Sequence, residues 1–281
     1  QFIPTQSAKI NQSITLNANQ WANKTGIKKI LSKFYHQFFL SSSNEVERTA
    51  NKFSLNPFIS DTNNQISINY SIRNSLYFNR GLQKYSTTYT FAKTENKQQY
   101  SIGSQDTDIR YQQIDFQHKL GKFWLIDLQG KLSENNLETE NFNNRNYEIN
   151  TYAFQPKISY VLDNDNRFSA FYHVKDKKNN LSEFEKLKQQ KIGIEYFYQR
   201  KSTTQFNANF TTFFNDFDGN PNSPVGYQML EGLQEGTNYT WAFLWSKKLN
   251  SYLNLNLNYK GRKSLNSKTI HTGSINLKAI F

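Results

Sequence analysis

Along most of this chain, apolar and polar side chains alternate one by one. In SYLNLNLNYKGRKS, residues 251–264, Leu253, Leu255, Leu257 and Tyr259 fall on one side of an extended backbone. Asn254, Asn256, Asn258 and Lys260 fall on the other. The preceding TNYTWAFLWSKK sets Tyr239, Trp241, Phe243 and Trp245 against Thr240, Ala242, Leu244 and Ser246. The C-terminal TIHTGSINLKAIF sets His271, Gly273, Ile275, Leu277, Ala279 and Phe281 against Thr272, Ser274, Asn276, Lys278 and Ile280. This period of two predicts strands, each with one apolar face.

The strands pair off as hairpins. KIGIEYFYQR meets TTQFNANFTTFF across Arg200–Ser202, and YAFQPKISYVL meets RFSAFYHVK across Asp163–Asn166. RYQQIDFQHKL meets FWLIDLQGKL across Gly121, and ISINYSIRNSLYF meets YSTTYTFAK across Arg80–Gln83. A fifth hairpin turns at Lys247–Asn250, while the connections at the opposite end, at 95–106, 134–145, 175–190 and 216–236, read as long polar loops. Short turns on one side and long loops on the other fit an outer-membrane barrel better than a soluble sandwich. The strands reach the roughly 9–11 residues that cross a bilayer at a tilt. Aromatic residues near strand ends suit interfacial girdles. The fold class expected is therefore all-β, an antiparallel up-and-down transmembrane barrel of about 13–14 strands over residues 1–281. In it Leu253, Leu255, Leu257, Trp241, Phe243, Trp245 and Phe281 face lipid. Asn254, Asn256, Asn258, Lys260 and Lys278 face the lumen. Pro156, lacking an N–H, predicts a bulge or a weakened pairing in mid-strand.

Residues 1–65 carry a weaker pattern. KINQSITLNA reads as a strand through Ile10, Ile14, Leu16 and Ala18. In WANKTGIKKILSKFYHQFF, the apolar positions Ile27, Ile30, Leu31, Phe34 and Phe38 have helical spacing, opposite Lys24, Lys28, Lys29 and Lys33. A basic amphipathic helix on the membrane surface is one reading. The preferred one is a helical turn ending near Leu31, then a strand over 33–43. Counting back from Phe281, placed at the periplasmic side, puts the strand near 8–18 as the first of about 13, descending from outside. Secreted barrels normally have an even number of strands. The count thus predicts a further strand beside residues 8–18, from residues before Gln1 or from another chain.

Composition narrows the class. The chain has 23 Phe, 17 Tyr and 4 Trp with a mean hydropathy of −0.79, so it is aromatic-rich and hydrophilic together, unlike a disordered chain. FWLI at 123–126 is among the longest apolar runs, far from the ~20 residues of a membrane helix. Without cysteine there are no disulfides or thiolate metal sites. The net charge of +12 points to an anionic partner. Lys175, Lys177 and Lys178, in a group completed by Lys186, Lys188 and Lys191, flank one outer loop. Arg262 and Lys263, with Lys268, flank another. Both groups suit lipopolysaccharide phosphates, and equally suit solvated loop charge with no ligand. Nucleic acid is not expected as a partner, because the aromatics alternate along strands instead of forming stacking platforms on a basic groove.

Chemistry-bearing residues are sparse. Asp216, Asp218 and Asn220 in NDFDGNPNSP have the spacing that opens a calcium loop, but the later bidentate Glu is missing, so a metal-free polar turn is expected. Of the histidines, His173 falls on the inward phase and His118 and His271 on the outward one. No nucleophile, base and orienting group come together in sequence, and neither an enzyme nor a cofactor is expected.

NSPVGYQMLEGLQEGTNYTW, LNLNLNYKGRKS and TIHTGSINLKAIF together resemble the C-terminal region of large Bacteroidota outer-membrane proteins. The heavy use of Lys, Asn and Ile is similar to that of flavobacterial proteins. The resemblance is firm over 215–281 and looser over 65–214, and it carries over no catalytic residue. It implies a barrel in the outer membrane of a Gram-negative bacterium, the C-terminal part of a longer polypeptide. That barrel would be an anchor or subunit of a larger assembly in secretion, surface export or outer-membrane biogenesis. Its partners would be outer-membrane lipid and lipopolysaccharide and other outer-membrane or periplasmic proteins. The alternative is a stand-alone porin-like channel for small solutes.

Overall fold

The computed structural model describes residues 5–17, 25–48, 64–80, 84–100, 102–163, 165–181, 184–201, 203–265 and 267–279. Their strands are β1 (Thr5–Asn17), β2 (Phe34–Arg48), β3 (Asn64–Phe78), β4 (Tyr85–Tyr100), β5 (Gly103–Leu120) and β6 (Trp124–Thr139). Then come β7 (Tyr147–Val161), β8 (Asn166–Asn179), β9 (Lys186–Arg200), β10 (Thr204–Asp218), β11 (Gly236–Lys248), β12 (Leu253–Ser264) and β13 (Ile270–Ala279). All thirteen form one sheet in sequence order, each antiparallel to the last, which is the up-and-down architecture of a β-barrel wall. Among the described residues two short α-helices interrupt it, α1 (Ile27–Leu31) between β1 and β2 and α2 (Pro224–Leu230) between β10 and β11, with a single 3-10 turn at Asn143–Arg145 between β6 and β7.

Alternation sets the register, because a slip of one residue would turn every apolar side chain to the other face. Leu255 and Leu257 stand opposite Leu277 and Ile275 of β13, while Asn254, Asn256 and Asn258 stand opposite Lys278, Asn276 and Ser274. On the other side of β12, Leu257 and Tyr259 meet Trp245 and Phe243, and Gly261 meets Trp241. The Trp241 indole occupies the space over that glycine, where a Cβ would lie 2.1 Å away.

The outer face carries an apolar belt with large exposed side chains. Ile14, Ile114, Tyr152, Ile194, Phe210 and Ile275 are typical, with Ile194 60% and Ile275 74% exposed. Aromatic contacts run from strand to strand along it, through Phe168–Tyr196, Tyr196–Phe206, Phe206–Phe243, Phe243–Tyr259 and Tyr259–His271. Soluble monomers rarely expose contiguous apolar patches beyond a few hundred Å². The inner face is polar, as in the buried hydroxyl pairs Ser75–Thr90 and Ser159–Ser169.

Above the belt, strands extend where the sequence suggested loops. Residues 95–106 are mostly β4 and β5, paired as far as Tyr100 and Gly103. Their outer faces there carry charge: Lys97 pairs with Asp106 at 3.1 Å, Asp108 with Arg110 at 2.7 Å, and Lys93 with Glu95. The polar composition that suggested a loop marks the end of the belt, since backbone ladders continue wherever both strands persist. Likewise β8 and β9 cover most of 175–190. Of the long connections expected, the one from 219 to 235 keeps that character.

Two local expectations meet clear geometry. The β7–β8 ladder lapses at Gln155 and Pro156 yet resumes in the same register, Phe154 opposite Val174 and Lys157 opposite Phe171. The missing N–H therefore weakens the pairing without a bulge. α1 ends at Leu31 and β2 follows, as the helical-turn reading had it. Ala18, Ile280 and Phe281 lie outside the described residues.

β1 and β13 are the edges of the sheet, and among the described residues they do not pair with each other. As first and last of an odd antiparallel series, they run in the same direction.

Candidate functional site

The connection from β10 to β11 folds over the inner face instead of standing out from the rim. Ser223 caps α2, its Oγ accepting from the Gly226 N–H at 2.9 Å, and Pro224 occupies the first turn, where its missing N–H costs nothing. Gly226 is required by close packing, since a Cβ there would lie 2.2 Å from the Asn220 carbonyl oxygen. The helix stops at Glu231, which takes a left-handed conformation with φ 56°, followed by Gly232 at φ 74°.

Val225, Met229 and Leu230 of α2 are buried against Tyr147, Ile149, Leu187 and Phe217, inward positions near the α2 end of β7, β9 and β10. These residues form the apolar core among the described residues, with each large side chain worth roughly 1.5–3 kcal/mol on burial. Amides fasten the rest of the loop. Asn238 Nδ2 donates to the Gln234 carbonyl at 2.7 Å and its Oδ1 accepts from the Gln234 N–H. Asn215 donates to the same carbonyl at 2.9 Å while accepting from Gln189.

Charge completes the closure. Lys175 and Lys177 place their ammonium groups 2.6 and 2.9 Å from Glu231 Oε1, and Lys177 also donates to the Met229 carbonyl at 2.8 Å. Burial works to raise the Glu231 carboxyl, but Lys177 and Lys175 outweigh it and hold it at about 2. Beneath the loop lies a cavity of about 410 Å³, lined by Lys131, Ser133, Thr151, His173, Gln228 and Glu231 among others.

This geometry corrects part of the sequence reading. Lys175 and Lys177 do not flank an outer loop ready for lipopolysaccharide. β8 runs on to Asn179, so both keep the inward phase of His173 and are engaged by Glu231. Arg262 also turns inward, with Nη1 3.4 Å from the Gly232 carbonyl. Lys178 and Lys263 stay on the outer face, exposed beyond the belt. Leu253, Leu255, Leu257, Trp241, Phe243 and Trp245 share that outer face, by their register with Ile275 and Leu277. Asn254, Asn256 and Lys278 line an inner depression together with Gln205 and Lys248, and Asn258 and Lys260 continue that face. His173 points inward; His118 and His271 lie outward, His271 Nδ1 2.7 Å from the Tyr259 hydroxyl. Asp216 and Asp218 stand opposite Lys188 and Lys186, on the face away from the loop. No group of three His, Asp or Glu side chains gathers around a metal position among the described residues.

Alternation along the strands does not predict the inward fold of the loop. Its signal was present in SPVGYQMLEG: a Ser cap, a Pro in the first turn, Val225, Met229 and Leu230 on one helical face, and a Gly stop.

No family model and no curated protein matches the chain. Among solved structures it is similar to the outer-membrane channel DcaP of Acinetobacter baumannii, at 8% identity over 88% of this chain and 83% of that one, with a TM-score of 0.47. It is similar to the NanC porin at 11% identity over 76% of this chain and 94% of that one, TM-score 0.41. The translocator domain of the autotransporter NalP from Neisseria meningitidis matches at 9% identity over 94% and 92%, TM-score 0.34. At TM-scores this low, the exterior belt and the polar inner face of this chain carry the membrane reading.

Proposed function

We propose that the chain is a transmembrane β-barrel wall in the outer membrane of a Gram-negative bacterium, acting as anchor or subunit of a larger outer-membrane assembly. What supports this is a sheet with an apolar exterior whose two edge strands run parallel and, among the described residues, do not pair with each other. An edge strand lying in hydrocarbon needs a neighbour for its backbone N–H and C=O groups, because lipid cannot satisfy them. One further strand, antiparallel to both edges, would satisfy both and give an even count. The occupant is a strand from another segment of the polypeptide or from a partner protein. The α2 end faces outward from the cell, where the inward-folded loop obstructs the mouth of the wall. On this reading Lys178 and Lys263, exposed on the outer face, would meet lipopolysaccharide phosphates.

Planar-bilayer recording separates this from the porin reading. The purified chain alone should give no steady open pore. Its purification from native membranes should bring a stoichiometric partner or a longer form of the chain. A steady conductance from the chain alone, with no partner, would establish the diffusion channel instead.

A further inference from the structure

At the short-turn end of β9–β13 the inner face is basic and uncompensated. Lys201, Lys248 and Lys278 line one depression of about 280 Å³, and no carboxylate lines it with them. The ladders set the three side by side. The Lys248 N–H donates to the Thr203 carbonyl at 2.8 Å, in the turn that carries Lys201. Lys248 stands opposite Asn254, and Asn254 stands opposite Lys278. Among the described residues none of the three lysines forms a salt bridge. Along these strands the carboxylate closest to this end is Glu195, which stands opposite Asn209 and is held by Lys157. Directly behind the lysines runs a row of neutral polar side chains. Gln199, Gln205, Ser246, Asn256 and Asn276 each stand opposite the next, across five strands.

We propose that this depression docks an acidic polypeptide segment, its carboxylates on Lys201, Lys248 and Lys278 and its backbone along the amide row. Charge complementarity selects the sign of the partner. Amide side chains both donate and accept hydrogen bonds, as a peptide backbone requires, whereas a lipid phosphate only accepts. Facing also argues against lipid. Lys248 and Lys278 share the inward phase of Asn254, away from the face that carries Leu255 and Leu277. Lys247, of the outward phase and 6.0 Å from the Trp245 ring, serves that side instead. That the segment arrives from the periplasm rests on the orientation proposed above; the acid-binding face itself does not.

The test is equilibrium binding to the whole chain, purified in detergent at low ionic strength. The probe is a fluorescently labelled peptide of alternating Glu and Ser, and the control is its Gln and Ser counterpart. We expect saturable binding of the acidic peptide alone. Lys201→Gln, Lys248→Gln and Lys278→Gln together should weaken it by about tenfold or more. Lys178→Gln, Lys263→Gln and Lys268→Gln together remove the same charge from the other end and should leave it unchanged. A second readout needs no variant: a zero-length carbodiimide should join the peptide's glutamates to Lys201, Lys248 or Lys278 and not to Lys178 or Lys263. No binding, equal losses from the two triple variants, or crosslinks at Lys178 or Lys263 instead would overturn the proposal. Displacement of the peptide by phosphatidylglycerol added to the micelles would give these lysines to lipid and overturn it as well. An open pore from the chain alone would contradict the assembly reading and leave this binding result untouched.

Discussion

Lys177 holds Glu231 at 2.9 Å although 54 positions separate them in sequence, and the same ammonium group takes the Met229 carbonyl. One largely buried lysine of β8 thus secures both the backbone end of α2 and the carboxylate that follows it.

Lys177→Met should therefore loosen the loop without unfolding the sheet. Breaking a buried pair costs several kcal/mol, but Glu231 remains 41% exposed and keeps Lys175, so the expected loss is on the order of 1–2 kcal/mol. Limited proteolysis should cut the variant between residues 219 and 235 several-fold faster, with unchanged heat-modifiable gel mobility. Equal cleavage rates would remove the role assigned to Lys177.

The loop should also respond to acid in one particular window. Glu231 is held at about 2, below its ordinary 4.5, so the closed loop binds fewer protons than the released one. The stability it contributes is complete above about 4.5 and is lost as pH falls towards 2. Amide exchange across 219–235 should be protected equally at pH 7 and pH 5, after correction for intrinsic rates, with protection falling as pH drops from about 4.5 towards 2. A midpoint near neutrality would assign the response to another group.

Along β12 the apolar and polar phases make opposite predictions for one substitution. Leu255→Arg should destabilise the inserted sheet by roughly 2–4 kcal/mol if the residue sits near the bilayer midplane. Asn256→Arg, on the inner face opposite Asn276, should be mild. Urea unfolding in lipid vesicles gives both values, and similar losses for the two would contradict the assignment of faces.

Strand identity and facing were legible because a period of two survives any three-dimensional context: Leu257 and Asn258 had to part company wherever β12 was placed. The ends of strands were not legible, because Lys93–Lys97 and Asp106–Arg110 are as polar as a loop and yet pair across the ladder. The inward loop was hidden for a related reason. Val225, Met229 and Leu230 are few, and apart from nearby Phe217 their partners Tyr147, Ile149 and Leu187 lie on strands far away in sequence, so nothing local says which face they cover. For the same reason Lys175 and Lys177 read as outer charges until β8 was seen to continue past them.

The claim on which the rest depends is that one face of this sheet meets hydrocarbon and the other meets water. The chain contains no cysteine, so single cysteines can be introduced in turn at residues 253–259 and spin-labelled in lipid vesicles. Collision with oxygen, which concentrates in hydrocarbon, should peak at 253, 255, 257 and 259. Collision with a water-soluble nickel chelate should peak at 254, 256 and 258. A reversed phase, or water accessibility equal at all seven positions, would contradict a membrane-spanning wall.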